Sequence, residues 1–284
     1  MKKNNEKQTK KNKKYQNKEL KIDLDYYEYQ KRIDISEYQN FKHLSNKEKD
    51  NFENLFSKPK NKSQEIFLSS LKKKNLKVVI ATGPAGTGKT LFSVEQGIKN
   101  FMKEDIEKLI FTRPVVTVDE DLGYLPGNIE DKLGPYVKPI FDILYNFLPP
   151  QEVENLMKDK VIEIAPLGFL RGRTFKNCWI VADEMQNSSV SQMKMLLTRI
   201  GENTKLIING DLEQNDRHNE INGLEDFLSK LKNRRSDSIS SVEFDKNDVE
   251  REKVVKEILE IYETNKIEYY CSDNNDDDNK LIIY

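Results

Sequence analysis

Apolar positions along the chain change their spacing at about residue 62, and the change marks the start of a predicted folded domain. Beyond it, short apolar runs alternate with amphipathic stretches, which is typical of a mainly parallel sheet with helices on both faces. The predicted strands are 76–82, 109–116, 161–166, 178–183, 205–210 and 241–244. The predicted helices are 63–74, a segment ending near 103, 188–200, 221–232 and 248–262. The first helix is expected to bury Ile66, Phe67, Ser70 and Leu71.

The remaining segments depart from this alternation and divide the chain. Residues 117–150 interrupt it and are predicted to form a helical insertion. Lys and Asn dominate residues 1–20, which are expected to form a disordered basic tail. Apolar and aromatic residues return sparsely over 21–60, so we expect an arm that packs on the core. The main domain is expected over 61–270, and an acidic tail over 271–284.

Composition excludes several classes of protein. A chain of 284 residues with 33% charged residues can build one large domain with arms. Two cysteines cannot form a disulfide framework or a zinc site, and no apolar run is long enough to span a bilayer. We therefore expect a cytoplasmic protein with no membrane contact. The net charge is only −1, and the basic tail is expected to be a solvated segment in preference to a nucleic-acid contact.

A glycine-rich loop follows the first predicted strand and precedes a predicted helix. It consists of Gly83, Pro84, Ala85, Gly86, Thr87, Gly88, Lys89 and Thr90, and it fits the pattern GxxxxGK[ST]. Glycines let backbone N–H groups turn around phosphate oxygens, and the helix N-terminus adds a positive dipole end. Lys89 is expected to reach the β- and γ-phosphates of ATP, and Thr90 to bind Mg²⁺. A turn that only joins strand to helix is the alternative, which the flanking elements disfavour.

An acidic pair ends the strand at 178–183. Because ligands bind beyond the carboxyl ends of parallel strands, Asp183 and Glu184 are expected beside the glycine loop. We assign Asp183 to the Mg²⁺ shell and Glu184 to polarising the attacking water. Without the loop, capping of the next helix would be the better interpretation. The tip of the strand at 205–210 offers Asn209, Asp211 or Gln214 as a sensor of the γ-phosphate, and we select Gln214.

Six sequence blocks, in this order, resemble the PhoH family of P-loop ATPases. They are GPAGTGKT, TRPVV, DLGYLPGNIEDKLGPYVKPIFDIL, IAPLGFLRGRTF, IVADEMQN and INGDLEQND. The resemblance runs from about Gln64 to Arg251. It implies a PhoH-like domain with a RecA-like core related to superfamily-one helicases, the use of ATP and Mg²⁺, and homo-oligomeric rings such as hexamers. It also implies links to RNA processing and to phosphate starvation.

The resemblance assigns further roles by position. Gln64 is similar to the glutamine that recognises adenine, and its amide suits pairing with adenine N6 and N7. A solvated helix residue is the alternative. Arg251 is similar to an arginine finger inserted into a neighbouring subunit's site, where it would stabilise the transferring phosphoryl group. A surface arginine is the alternative there, and Glu250 and Glu252 depart from the family pattern.

Three other arginines lie near the ends of predicted strands. Arg171 and Arg173 flank a glycine and could bind phosphate, a subunit interface or a nucleic-acid backbone. We favour the nucleotide or the interface. Arg113 ends the second strand, where related helicases contact single strands, and a structural arginine is an equal alternative.

These features lead to a Mg²⁺-dependent ATPase acting on RNA or single-stranded nucleic acid as a ring-forming helicase or translocase. An ATP-driven remodeller or regulator of protein partners is the alternative. A small-molecule kinase is disfavoured, because an adjacent water-activating base would waste ATP.

Overall fold

The computed structural model describes residues 41–114, 138–214 and 221–251, together with residues 254, 255, 257 and 258. The two predicted tails and residues 115–137 of the predicted insertion lie outside the described residues. Within these ranges, none of the helices combines the length and the apolar character needed to cross a membrane.

The core is a six-stranded sheet in which every neighbouring pair is parallel. The strands are β1 (Val78–Thr82), β2 (Lys108–Arg113), β3 (Ile162–Pro166), β4 (Cys178–Ala182), β5 (Lys205–Gly210) and β6 (Ile239–Glu243). Their order across the sheet is β3-β2-β4-β5-β1-β6. All residues of β1, β4 and β5 are buried, as expected for strands covered on both faces. All six predicted strands are confirmed, with small shifts at their ends.

Helices precede β1 and lie between successive strands, except between β3 and β4, where the helical element is a short 3₁₀-helix, Leu167–Leu170. The α-helices are α1 (Asn46–Asn54), α2 (Lys62–Lys72), α3 (Lys89–Met102), α4 (138–145), α5 (Pro150–Lys158), α6 (Val190–Leu197) and α7 (Gly223–Leu231). Side chains of Ser45, Asn61, Ser189 and Asn222 accept backbone N–H bonds at the start of four of them, which satisfies donors that the helix cannot. Between β2 and β3 lie α4 and α5, so the described part of the predicted insertion is helical.

The sheet separates two apolar layers. Alternate residues of β1 face opposite sides, so Val79 and Ala81 join one cluster while Val78 and Ile80 join the other. The first cluster receives side chains from α1 to α5, and the second from α6 and α7. The predicted α/β fold with helices on both faces is confirmed.

The described part of the predicted N-terminal arm packs on the first cluster. Phe52 on α1 is fully buried and forms edge contacts with Phe41 and Phe56, at centroid distances of 5.1 and 5.0 Å. Phe56 in turn stacks on Phe147 at 4.8 Å. These aromatic contacts hold the segment before α2 on the domain.

The buried face of α2 differs in one position from the prediction. Phe67, Ser70 and Leu71 are buried, but Ile66 is 48% exposed. Gln64 takes the inward position instead, because it lies three residues before Phe67 on the same face. The helix therefore directs an amide, not an aliphatic side chain, toward the glycine loop.

Candidate active site

The glycine loop joins the end of β1 to the start of α3. Gly83 and Gly86 have φ angles of 129° and 87°, which side chains rarely adopt. A Cβ on Gly83 would also lie 2.2 Å from the carbonyl oxygen of Phe244. Within the loop the Thr87 hydroxyl donates to the Pro84 carbonyl at 3.0 Å. The backbone thus curls so tightly that Gly83 has no room for a side chain, which suits a loop whose backbone N–H groups bind phosphate.

Lys89 folds back over this loop. Its Nζ donates to the carbonyls of Gly83 and Pro84, at 2.6 and 2.7 Å, and the side chain is 8% exposed. Burial lowers the pKa of the ammonium, and the nearby carboxylates of Asp211 and Asp183 oppose that shift. A buried cation held mainly by carbonyl dipoles gains from a bound anion. The geometry suits a lysine that receives phosphate.

Thr90 connects the loop to the acidic strand. Its Oγ1 donates to the Asp183 carboxylate, with distances of 3.1 and 3.0 Å to the two oxygens. Burial, with a smaller contribution from Glu184, raises the pKa of the Asp183 carboxyl, and the Thr90 bond opposes this. A hydroxyl and a carboxylate side by side fit Mg²⁺, which takes one or two protein oxygens and keeps several waters. A divalent cation there would hold Asp183 ionised.

Glu184 stands at the cleft in an unusual backbone conformation. Its φ and ψ are 53° and 36°, in the left-handed region that costs a non-glycine residue about 1 kcal/mol or more. Gln186 Nε2 donates to one carboxylate oxygen at 2.6 Å, and Arg113 Nη2 lies 3.9 Å from the other. The carboxylate is therefore oriented from both sides, as a group that positions water should be.

Gln186 is a site residue that the sequence analysis missed. It is 1% exposed, and its Oε1 accepts the Asp211 N–H at 3.0 Å while its Nε2 also donates to the Gln214 carbonyl at 3.3 Å. The amide thus links Glu184 to the tip of β5. The sequence feature that could have identified it is an amide side chain two residues after the acidic pair. The surrounding residues are typical of a turn, so this feature did not stand out.

One cleft of about 250 Å³ collects the predicted residues from three separate segments. From the loop and α3 it takes Ala85, Gly86, Gly88, Lys89, Thr90 and Leu91; from the later strands it takes Asp183, Glu184, Gly210, Asp211 and Gln214. Because β5 lies between β1 and β4, its tip sits between the loop and the acids. The side chain of Gln214 donates to Asp211 Oδ2 at 2.6 Å. Its role as a phosphate sensor stays a prediction.

Gln64 lies behind the loop, at the start of α2. It is 3% exposed, so it is not a solvated helix residue. Its Oε1 accepts the Lys60 N–H at 2.8 Å, and its Nε2 donates to the Thr87 carbonyl at 3.1 Å. Both ends of the amide therefore bind the protein and brace the loop. Recognition of adenine by Gln64 stays a prediction.

Arg251 lies against the loop of its own chain. Its Nε is 2.5 Å from the position that a Cβ on Gly86 would occupy, and the preceding Glu250 N–H donates to the Gly86 carbonyl at 3.0 Å. A guanidinium is thus placed at the phosphate cradle within one chain. Insertion of Arg251 into a neighbouring subunit's site stays a prediction.

The structure does not bring Arg171 and Arg173 to the cleft. They follow β3, the edge strand, which β2, β4 and β5 separate from β1. Arg173 forms a two-pronged ion pair with Glu163 and lies 4.6 Å from the centroid of the Phe175 ring. Strand order thus places this arginine in a structural contact away from the glycine loop. A role for Arg171 or Arg173 at a subunit interface stays a prediction.

The range of this chain that matches a known protein family includes every residue of the candidate site. A model of the family described as "PhoH-like protein" matches residues 57–263. A PhoH-like protein of Bacillus subtilis is 40% identical over 198 residues, which is 69% of this chain and 61% of that protein. A PhoH-like protein of Synechocystis is 36% identical over 198 residues, 69% of this chain and 59% of its own length. Protein PhoH of Escherichia coli K12 is 38% identical over 199 residues, 69% and 55% respectively. The chain thus spans little more than half the length of these relatives.

Proposed function

The chain belongs to the PhoH-like protein family, and from that premise we propose that it is a Mg²⁺-dependent ATPase. The observation that carries the proposal is the bond between Thr90 and Asp183, which joins the phosphate loop to the acidic strand. These two residues are 93 positions apart in sequence, and their contact brings together oxygen atoms of the kind that bind Mg²⁺ in a Mg²⁺–triphosphate complex. A purely structural strand-end turn would not require that contact.

Each group in the cleft has a distinct task in hydrolysis. The loop and Lys89 bind the phosphates, and Thr90 with Asp183 would hold Mg²⁺, which neutralises phosphate charge when bound. Glu184 accepts a hydrogen bond from the attacking water and fixes its direction. Gln186 keeps that carboxylate in place, and Arg251 offers positive charge at the loop, where negative charge spreads as the terminal phosphate leaves.

We further propose that hydrolysis responds to RNA or single-stranded DNA and takes place in a ring of identical subunits. Arg113, at the carboxyl end of β2, supports the first part, because its guanidinium lies beside the Glu184 carboxylate. A nucleic-acid phosphate that attracts Arg113 would change the position of Glu184. Binding at this edge of the sheet could then be coupled to turnover.

The test is ATP turnover with a panel of RNA and single-stranded DNA at low and high salt, with the mass of the assembly measured in parallel. We expect stimulation that falls steeply with salt and that Glu184→Gln removes, together with a mass of several subunits. Turnover that ignores every polynucleotide would contradict the nucleic-acid part and favour a protein partner. A wild-type chain with no Mg²⁺-dependent turnover, alone or with polynucleotide, would contradict the ATPase itself.

A further inference from the structure

A second cleft lies at the amino ends of the parallel strands, where β1, β4 and β5 begin. The glycine loop lies at the opposite, carboxyl ends of the strands. Lys77 immediately precedes β1, Trp179 is the second residue of β4, and Lys205 is the first residue of β5. The end of α2, the second half of α3 and Glu53 on α1 also line it. Its volume is about 460 Å³, which lies in the range of about 300–1,000 Å³ that is usual for small-molecule sites. We call it the amino-edge cleft.

Positive charge dominates this cleft. Its lining includes Glu53 and Asp105 but six lysines, which are Lys72, Lys74, Lys77, Lys99, Lys103 and Lys205. Lys99 and Lys103 both bond to the single carboxylate of Glu53, at 2.7 and 2.5 Å. Lys74 lies 3.9 Å from Asp105. Both carboxylates are thus already engaged, and the lysines exceed the negative charge available in the cleft.

Lys205 is one of two buried lysines in this group, with 9% of its surface exposed, and Lys99 is the other. Lys205 Nζ donates to the carbonyls of Leu71 and Lys73, at 2.6 and 2.7 Å, where α2 ends. Burial, reinforced by repulsion from Lys77, lowers the pKa of Lys205 to about 8. An ammonium has three donors and these carbonyls use two, so one donor remains to meet a ligand in the cleft.

Gln96 supplies a second sign of a missing ligand. It lines the same cleft and is 5% exposed; its Nε2 donates to Asn100 at 2.9 Å. Its Oε1 is buried and has no hydrogen-bond partner among the residues that the structure describes. Folded proteins rarely leave such an acceptor unpaired. The cleft is therefore lined by cations and by a residue whose buried acceptor is unpaired.

We propose that the amino-edge cleft binds a phosphorylated small molecule that also carries a hydroxyl or amino donor, such as a nucleoside diphosphate. Ammonium groups attract phosphate as point charges, and the donor would satisfy Gln96 Oε1. A volume of this size suits a compact ligand better than a folded partner. This site is separate from the ATPase cleft, because it lies at the opposite ends of the same strands.

Trp179 provides the readout, since it is the one tryptophan in the sequence and Lys205 Nζ lies 5.6 Å from its ring centroid. The full chain carrying Lys89→Ala, which disables the glycine loop, is titrated with ADP and with pyrophosphate. Tryptophan fluorescence and calorimetry are recorded together. We expect saturable binding of one ADP per chain, and weaker binding of pyrophosphate because it lacks the donor.

Two exposed lysines allow a test without disturbing the core. Lys72→Gln with Lys77→Gln should weaken ADP binding about tenfold, since two cations leave the cleft. The matched control is Lys194→Gln with Lys232→Gln, two exposed lysines away from the cleft, which should leave the affinity unchanged. Gln96→Met should weaken ADP and leave pyrophosphate unchanged.

The proposal is overturned if millimolar ADP gives neither heat nor a fluorescence change, or if the cleft and control variants bind ADP equally well. Pyrophosphate binding as tightly as ADP would overturn the role of Gln96. A response to single-stranded RNA alone would replace the small-molecule site with a polymer site. Because Lys89→Ala is present throughout, failure here leaves the proposed ATPase untouched.

Discussion

The two edges of the sheet handle charge in opposite ways. At the carboxyl edge, Asp183, Glu184 and Asp211 surround one buried lysine, and the phosphate cradle is built from backbone. At the amino edge, lysines outnumber carboxylates and the cradle is built from side chains. One edge thus needs a cation and a phosphate together, whereas the other needs only an anion. The two proposals therefore assign metal-dependent chemistry to the carboxyl edge and anion binding to the amino edge.

The largest expected effect is the loss of Lys89. Lys89→Ala should lower ATP turnover by at least about 10²-fold, because the buried ammonium of the loop is gone. Lys205→Met removes a buried lysine at the other edge and should leave turnover near the wild-type rate. Steady-state phosphate release measures both. Equal losses of turnover in the two variants would show that the two edges do not differ in their role in hydrolysis.

Glu184→Gln comes next, and it separates binding from chemistry. Turnover should fall about 10²–10⁴-fold while ATP affinity is kept, because the amide cannot activate water but the loop and Asp183 are intact. The control is Glu213→Gln, which changes an exposed acid on the segment after β5 and should leave turnover and ATP affinity unchanged. Single-turnover kinetics with a binding titration measure the split. If the variant loses ATP affinity and turnover together, Glu184 does not act specifically in the chemical step.

Arg251→Ala should lower turnover by at least about tenfold, since its guanidinium lies at the loop of its own chain. Arg235→Ala, an exposed arginine outside the cleft, serves as the control. Mixing Arg251→Ala with Lys89→Ala protein should give no rescue if the arginine acts within one chain. Recovery of activity on mixing would place it in a neighbouring subunit's site instead.

Gln186→Ala should reduce kcat about tenfold with little change in KM, because Glu184 and the tip of β5 lose their common anchor. It should also cost about 1–3 kcal/mol of stability, since the Asp211 N–H is left unpaired. Gln151→Ala, exposed on α5, is the control. Urea unfolding and initial rates separate the two effects. A loss of stability with kcat unchanged would make Gln186 a structural residue only.

The smallest effect is a pH dependence at the amino edge. The pKa of Lys205 is about 8 in the folded chain and 10.5 for an ordinary lysine, so the unfolded chain binds more protons between these values. Stability from this group therefore rises as pH increases through about 8. The melting temperature of the wild type should rise by about 2–4 °C between pH 7.5 and 9.5 relative to Lys205→Met. Parallel profiles would show that Lys205 keeps its ordinary pKa.

Contiguous segments explain what the sequence could predict. The strand KLIING was predicted at 205–210 and lies there, because an unbroken apolar run fits a strand buried on both faces. The loop and the acidic pair were found because each is a local pattern at a strand end. Their meeting follows from parallel topology, which carries both to the same edge.

Long-range pairings explain what was missed. The ion pair between Arg173 and Glu163 needs the positions of β3 and the turn after it, which no local pattern reveals. Gln186 and Gln64 were ambiguous, because an amide in a polar stretch has the same appearance whether it is buried or solvated. The lysines of the amino-edge cleft come from three separate segments, and no local pattern shows that they share a site.

The backbone at position 184 has a consequence for how this domain can be improved. Glycine adopts a φ of 53° without a steric penalty, so Glu184→Gly would relieve the backbone strain at this position. Selection for thermal robustness alone would therefore tend to discard the carboxylate. If Glu184 positions the attacking water as we propose, a directed-evolution experiment on this domain should screen for turnover together with heat resistance, because heat resistance alone would favour stable variants that do not hydrolyse ATP.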